Sequence, residues 1–182
     1  MIKYIVIGVI VILLLLILVV FNGIVKLNNK VKEAFATMDV YLKKRWDLIP
    51  NLVETVKGYA DHEKETLESV IGMRNKTYDT MSIDEKLKTN LELNQGLSKL
   101  IALKESYPDL KASPSFNNLS DQLVSVENDI ANARKYYNGS VRMFNNKVET
   151  FPNTIIAKLF GFKPKEMFSA QAQEKENVKV EL

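Results

Sequence analysis

The chain has no cysteine in its 182 residues. That excludes a disulfide framework, a thiolate metal site and a lipidated cysteine. Histidine occurs once, at His62. A di-iron site in a helical bundle needs a Glu-x-x-His pair on each of two helices. A single histidine, with Tyr59 three residues before it, cannot supply them. Zinc sites draw several His or Cys ligands and fail on the same count. Glycine is sparse, and neither GVI nor NGI has the spacing of a phosphate loop. No nucleophile elbow accompanies any serine. Despite a net charge of +3, no dense Lys/Arg block exists, so nucleic acid is not an expected partner. Trp46 and the tyrosines at 41, 59, 78, 107, 136 and 137 read as core or bundle-edge residues rather than a stacking platform for bases. No cofactor, metal or catalytic residue is expected.

A long uncharged run is present: YIVIGVIVILLLLILVVF, from Tyr4 to Phe21. As a helix, with Asn22 to Val25 extending it, it crosses a hydrocarbon core of roughly 30 Å. A cleaved signal peptide has a shorter apolar region and a small-residue cleavage site, and VVFNGIVK has no such site. Residues 1–25 therefore read as a transmembrane anchor. Lys3 precedes the run, whereas Lys26, Lys30, Lys32, Lys43, Lys44 and Arg45 follow it. Cytoplasmic flanks carry the Lys/Arg excess, so the N-terminus is expected outside and the rest in the cytoplasm.

Residues 26–152 read as one helical bundle. Composition agrees, with 26% charged and 46% hydrophobic residues. Leu27, Val31, Ala34, Met38, Leu42, Ile49, Leu52, Val56, Ala60, Leu67 and Val70 keep one helical stripe. Arg45 and Glu63 fall in gaps of it and are candidates for a polar pair or for contacts that snorkel outward. A straight helix over 24–79 would exceed about 80 Å, so a break or bend is expected. Asp47 capping a new helix ahead of Pro50, or Gly58 with Asp61 as cap, could provide it; the unbroken phase across Pro50 favours a kink there over a full reversal, and both sites stay open. Ser82 to Glu85 forms a capping box. The helix it opens is lined by Leu87, Leu91, Leu97, Leu100 and Ile101 and is closed by Pro108. PDLKASPSFNN reads as a loop, with Asn117 or Asn118 capping the last long helix. There Leu119, Leu123, Val126, Ile130, Ala133, Tyr137, Val141, Phe144, Val148 and Phe151 form a heptad seam with one stutter. Residues 153–170 form an apolar flap that either caps the bundle or touches lipid headgroups. Residues 171–182 form a polar tail. The fold class is all-α: an N-terminal transmembrane helix, then an antiparallel bundle of three to four long helices.

Two stretches carry a resemblance. One runs from FNGIVKLNNKV through KKRWDLIPNLVETVKGYADHE to IGMRN; the other is ARKYYNGSVRMFNNKVETFPNTIIAKLFGF. Together they resemble the LemA family of bacterial membrane proteins, whose pattern falls on Phe21-Asn22, Lys44-Arg45, Asp47 to Val53, Val56 to Glu63, Ala133 to Asn138 and Phe151-Pro152. Phe21 replaces a Tyr, Trp46 a small residue, and Lys44-Arg45 two arginines. The resemblance implies one span and an antiparallel helical bundle. No catalytic activity is established for the family, so no active-site residue carries over. Family genes neighbour those for a membrane zinc protease and TPM-domain proteins, which implies a part in membrane-protein assembly or quality control.

The expected function is a membrane-anchored scaffold or adaptor binding the bilayer and other membrane proteins, with a homo-oligomer left open. The candidate interaction patch comprises Arg45, Asp47, Asn51, His62, Glu63, Arg134 and Asn138. Two rivals are an enzyme using His62 and Glu63 as an acid–base pair, and a lipid-surface or membrane-remodelling protein working through FPNTIIAKLFGF.

Overall fold

A computed structural model describes residues 1–60, 62–73 and 77–168, which form only helices, turns and irregular backbone. The order is α1 (Ile2–Lys57), α2 (Lys64–Gly72), α3 (Ile83–Ala102), α4 (Pro108–Ala112), α5 (Pro114–Glu149) and α6 (Asn153–Leu159), with 3₁₀ turns at Tyr78–Thr80 and Leu103–Glu105. The all-α expectation holds, with a long apolar N-terminal helix leading into a helical bundle. The polar tail, the end of the flap and the Asp61 cap lie outside the described residues.

The N-terminal part of α1 is long and apolar enough to cross a bilayer. Its most apolar window has mean hydropathy 3.5, and only 6% of that window is buried. Exposed side chains of this kind fit a membrane anchor, not a soluble core.

α1 does not break near Pro50. It continues for 56 residues with Pro50 inside it, and its boundary falls at Gly58. Proline in a helix interior removes one hydrogen bond and costs about 3 kcal/mol. Ile49, Leu52, Val53 and Val56 are all buried around it, and packing of that unbroken stripe offsets the penalty. Asp47 is accordingly no cap; it sits mid-helix and accepts a 2.6 Å contact from Lys43. From Val31 to Val70 the predicted stripe is buried throughout, and Leu27 is half-buried.

The Ser82 capping box forms as expected, the hydroxyl accepting from the Glu85 N–H while the Glu85 carboxylate accepts from the Ser82 N–H. The next two prolines act differently from the expectation. Pro108 does not end α3, which stops at Ala102 and tightens into a 3₁₀ turn. Instead Pro108 opens α4 and Pro114 opens α5. Tyr107 and Ser113 are extended, as a residue before proline prefers, and proline suits the first helical turn. The Ser113 hydroxyl accepts from the Phe116 N–H, so Ser113 takes the capping role assigned to Asn117 or Asn118. Within α5 the seam is buried from Leu123 to Val148, but Phe151 lies beyond the helix and is exposed.

The chain forms two compact units, Met1–Thr37 with Ala133–Phe168, and Met38–Asn132. α1 and α5 each contribute to both. The first unit buries Ile24, Val31 and Ala34 of α1, Tyr137, Val141, Phe144 and Val148 of α5, and Ile156 and Ala157 of α6. The second buries Met38, Leu42, Ile49 and Leu52 of α1, Val70 of α2, Leu93, Leu97 and Leu100 of α3, Leu110 of α4, and Phe116, Val126 and Ile130 of α5. Gly96 permits close approach of α2 and α3: a β-carbon there would meet Val70 at 2.9 Å and Met73 at 3.3 Å.

Candidate interaction surfaces

Arg45 occupies a core position on the α1 stripe and is only 1% exposed. A buried guanidinium is tolerated when hydrogen bonds and an opposite charge offset its desolvation. One nitrogen, Nη2, donates to the Asn90 carbonyl at 3.0 Å and to the Asn90 side-chain oxygen. The other, Nη1, donates to the Asn94 side-chain oxygen and, at 2.5 Å, to the Glu127 carboxylate. Arg45 thus ties α1 to α3 and α5 within the second unit. Its carboxylate partner is Glu127 rather than Glu63, because α5 lies alongside α1 here. Glu127 retains water, with 43% of its side chain exposed.

An open cleft of about 260 Å³ lies over this cluster. Leu97 and Ile101 of α3 and Leu123 and Val124 of α5 wall it; Arg45, Asn94, Ser98 and Glu127 supply its polar lining. Val124 is 58% exposed. Such a surface can seat apolar side chains while the Arg45–Glu127 pair orients a polar group. A second polar cluster flanks it. The Tyr78 hydroxyl donates to Asp39 at 2.6 Å, and Lys86 reaches the same carboxylate at 2.9 Å. Burial, then the Asp39 bond, pushes the Tyr78 phenol well above its ordinary range. The Trp46 ring packs tilted, at 51°, against Tyr78, with 5.5 Å between ring centroids.

The other candidates scatter. Asp47 and Asn51 are exposed on α1. His62 is exposed. Glu63 accepts a 3.0 Å hydrogen bond from the Tyr107 hydroxyl, which raises the Tyr107 pKa. Among the described residues no group of three or more His, Asp or Glu side chains could hold a metal ion.

Arg134 and Asn138 come together in the first unit, where both engage the segment after α6. The Asn138 amide pairs with the backbone of Phe168 in both directions, at 2.9 and 2.8 Å. Asn145 pairs likewise with Lys165, at 2.8 and 2.9 Å. Two turns of helix advance about 10.5 Å, and three extended residues about 10 Å. The spacing therefore matches, and two asparagines imitate strand pairing along a helix. Arg134 lies 4.2 Å over the Phe168 ring, a cation–π contact. Asn90, Asn94, Glu127 and Asn145 were missed from the sequence. Asn90 did carry a signal, a polar residue three before the buried Leu93 and seven before Leu97.

Comparison with known proteins agrees with the resemblance. The LemA family model matches residues 34–182, which include every candidate residue. Protein LemA of Metamycoplasma hominis is 27% identical over 161 residues, covering 86% of this chain and 72% of the relative. Magnetosome protein MamQ of Magnetospirillum gryphiswaldense is 31% identical over 72 residues, covering 40% of this chain and 26% of the relative. Magnetosome protein MamQ 2 of Paramagnetospirillum magneticum matches to the same extent, 31% over 72 residues.

Proposed function

From the premise that the chain belongs to the LemA family, we propose that it is a membrane-anchored adaptor whose helical bundle binds other membrane proteins during their assembly or quality control. The observation that carries this reading is the cleft between α3 and α5. The cleft is open to solvent, Val124 is exposed on its α5 wall, and its floor holds an oriented charge pair. The anchor confines that cleft beside the membrane, which raises the effective concentration of membrane-bound partners. The bundle is cytoplasmic and the N-terminus outside, following the lysines from Lys26 to Lys44. Membrane zinc proteases and TPM-domain proteins are the partner classes that the family association favours.

Complementation of a strain lacking the protein tests this reading. Val124→Glu places a charge in the cleft wall at an exposed position, so the variant folds and fails to complement. His62→Gln complements like the unaltered chain, whereas loss of a general acid–base group would cost about 10²–10⁴-fold in rate. Removal of residues 1–19, which leaves the buried Val20 and Ile24 in place, abolishes complementation. An active Val124→Glu variant beside an inactive, folded His62→Gln variant would overturn the adaptor reading in favour of an enzyme.

A further inference from the structure

α6 is apolar on two sides. Its inner side buries Ile156 and Ala157. Outward, Ile155 is 59% and Leu159 72% exposed, with Phe151 at 75% just before the helix and Phe160 at 49% just after it. Ile155 and Leu159 lie four residues apart on one ridge of α6, and Phe151 is an exposed apolar side chain just before it. Contiguous exposed apolar side chains mark a binding surface. Core packing explains only the inner side.

The position of α6 identifies what covers the outer one. Along α1 the side chains are outward-facing up to Val19, apart from half-buried Ile17, and Val20 is the first buried residue. At that point the first unit brings α6 and the turn after it against α1. The Phe21 ring lies 4.7 Å from Phe160 and 5.9 Å from Phe162. From Tyr4 to Phe21 the uncharged run is about 27 Å long, close to the roughly 30 Å hydrocarbon thickness. Phe21 therefore stands where α1 leaves the hydrocarbon, and α6 is beside it. Lys158 and Lys163 are exposed next to the apolar ridge, as in helices that lie in the headgroup layer. Gly161, with φ +74°, reverses the chain between Phe160 and Phe162 and keeps both rings near Phe21.

We propose that α6 and the Phe160–Phe162 turn form an interfacial lipid-binding element. Phe151, Ile155, Leu159 and Phe160 enter the acyl boundary of the leaflet from which α1 emerges, and Lys158 and Lys163 meet its anionic headgroups. The ligand is the bilayer of the protein's own membrane. This inference rests on α1 spanning that bilayer and is independent of the adaptor reading.

The absence of native cysteine permits single labels. Full-length protein carrying an environment-sensitive fluorophore on a cysteine at Leu159, Leu13 or Glu68 is reconstituted into phosphatidylcholine vesicles, with and without phosphatidylglycerol, doped with nitroxide-bearing lipid. The Leu159 label is blue-shifted and quenched several-fold more than the Glu68 label, and the quench persists as the protein is diluted with lipid. Phosphatidylglycerol deepens it, and Lys158→Glu with Lys163→Glu removes that increment. A quenched Leu13 label beside an unquenched Leu159 label overturns the proposal while leaving the span intact; loss of quenching at both sites overturns the span itself. A Leu159 signal that vanishes on dilution assigns the ridge to a second copy of the chain. An increment unaffected by the lysine changes overturns the anionic-headgroup assignment.

Discussion

Arg45→Met keeps the unbranched stem of the side chain and removes its charged fork. Three of its partners respond differently. The Asn90 side chain is 3% exposed and loses the donor to its oxygen. A buried amide acceptor left without a partner costs about 1–3 kcal/mol. Glu127 keeps 43% of its side chain in solvent, so it rehydrates and loses an interaction of about 1 kcal/mol or less. Asn94 is half-exposed and is hydrated likewise. Loss of the guanidinium also removes its desolvation penalty. The expected net destabilisation is about 1–3 kcal/mol, below the 3–5 typical of breaking a fully buried pair. Asn90→Leu, added to Arg45→Met, removes the stranded amide and recovers at least about 1 kcal/mol as a coupling energy. Trp46 is the single tryptophan, neighbours Arg45 and is 4% exposed. Its fluorescence during urea unfolding of the detergent-solubilised protein reports the midpoint of this unit. An Arg45→Met midpoint shift worth less than about 0.5 kcal/mol, the usual range for surface sites, would show that the fork does not hold α1, α3 and α5 together. Strict additivity with Asn90→Leu would show the same.

Gly96→Ala would force its β-carbon to within 2.9 Å of Val70; the overpacking, about 1–3 kcal/mol, exceeds the helix-propensity gain and lowers the urea midpoint. Asn138→Ala removes both bonds to Phe168, about 1–3 kcal/mol of local clasp; timed limited proteolysis shows faster trypsin cleavage after Lys165 at an unchanged global midpoint. Tyr78 has a raised folded-state pKa, so its contribution is present below about pH 10, where unfolded tyrosine ionises, and is lost as pH rises beyond it. Tyr78→Phe flattens the alkaline decline of the urea midpoint. A single cysteine at Lys111 resists an impermeant thiol reagent in intact cells and reacts after lysis; labelling of intact cells would reverse the proposed topology.

The helices were readable where one residue type carries one physical consequence. The stripe from Val31 to Val70 predicted burial residue by residue, because a helix must turn a fixed face to its core. The Ser82 capping box was readable because both partners lie within one turn. Proline was harder. Its ring disfavours a helical residue before it but suits the first helical turn, so Pro108 and Pro114 mark boundaries without saying which helix they bound. Pro50 was overridden: its local penalty is smaller than the burial energy of the Ile49–Val56 stripe, about 1.5–3 kcal/mol for each large apolar side chain.

The polar contacts were legible only on one side of each pair. Arg45 stood out as a charge on an apolar stripe, yet Glu127 is 82 positions away, and only the register of α5 against α1 selects it over Glu63. Asn138 and Asn145 are harder in kind. Their partners are the backbone groups of Phe168 and Lys165, which any residue would supply. No side-chain pattern in 165–168 can announce such a clasp; only the seven-residue spacing of the asparagines records it. The outer ridge of α6 is the intermediate case. Its four-residue apolar spacing is written in the sequence, but the same spacing would serve a bundle core. The exposure of Ile155 and Leu159 argues against the core, and the Phe21–Phe160 contact supports the proposed lipid role, because it sets the ridge beside the point where α1 changes from exposed apolar surface to buried core.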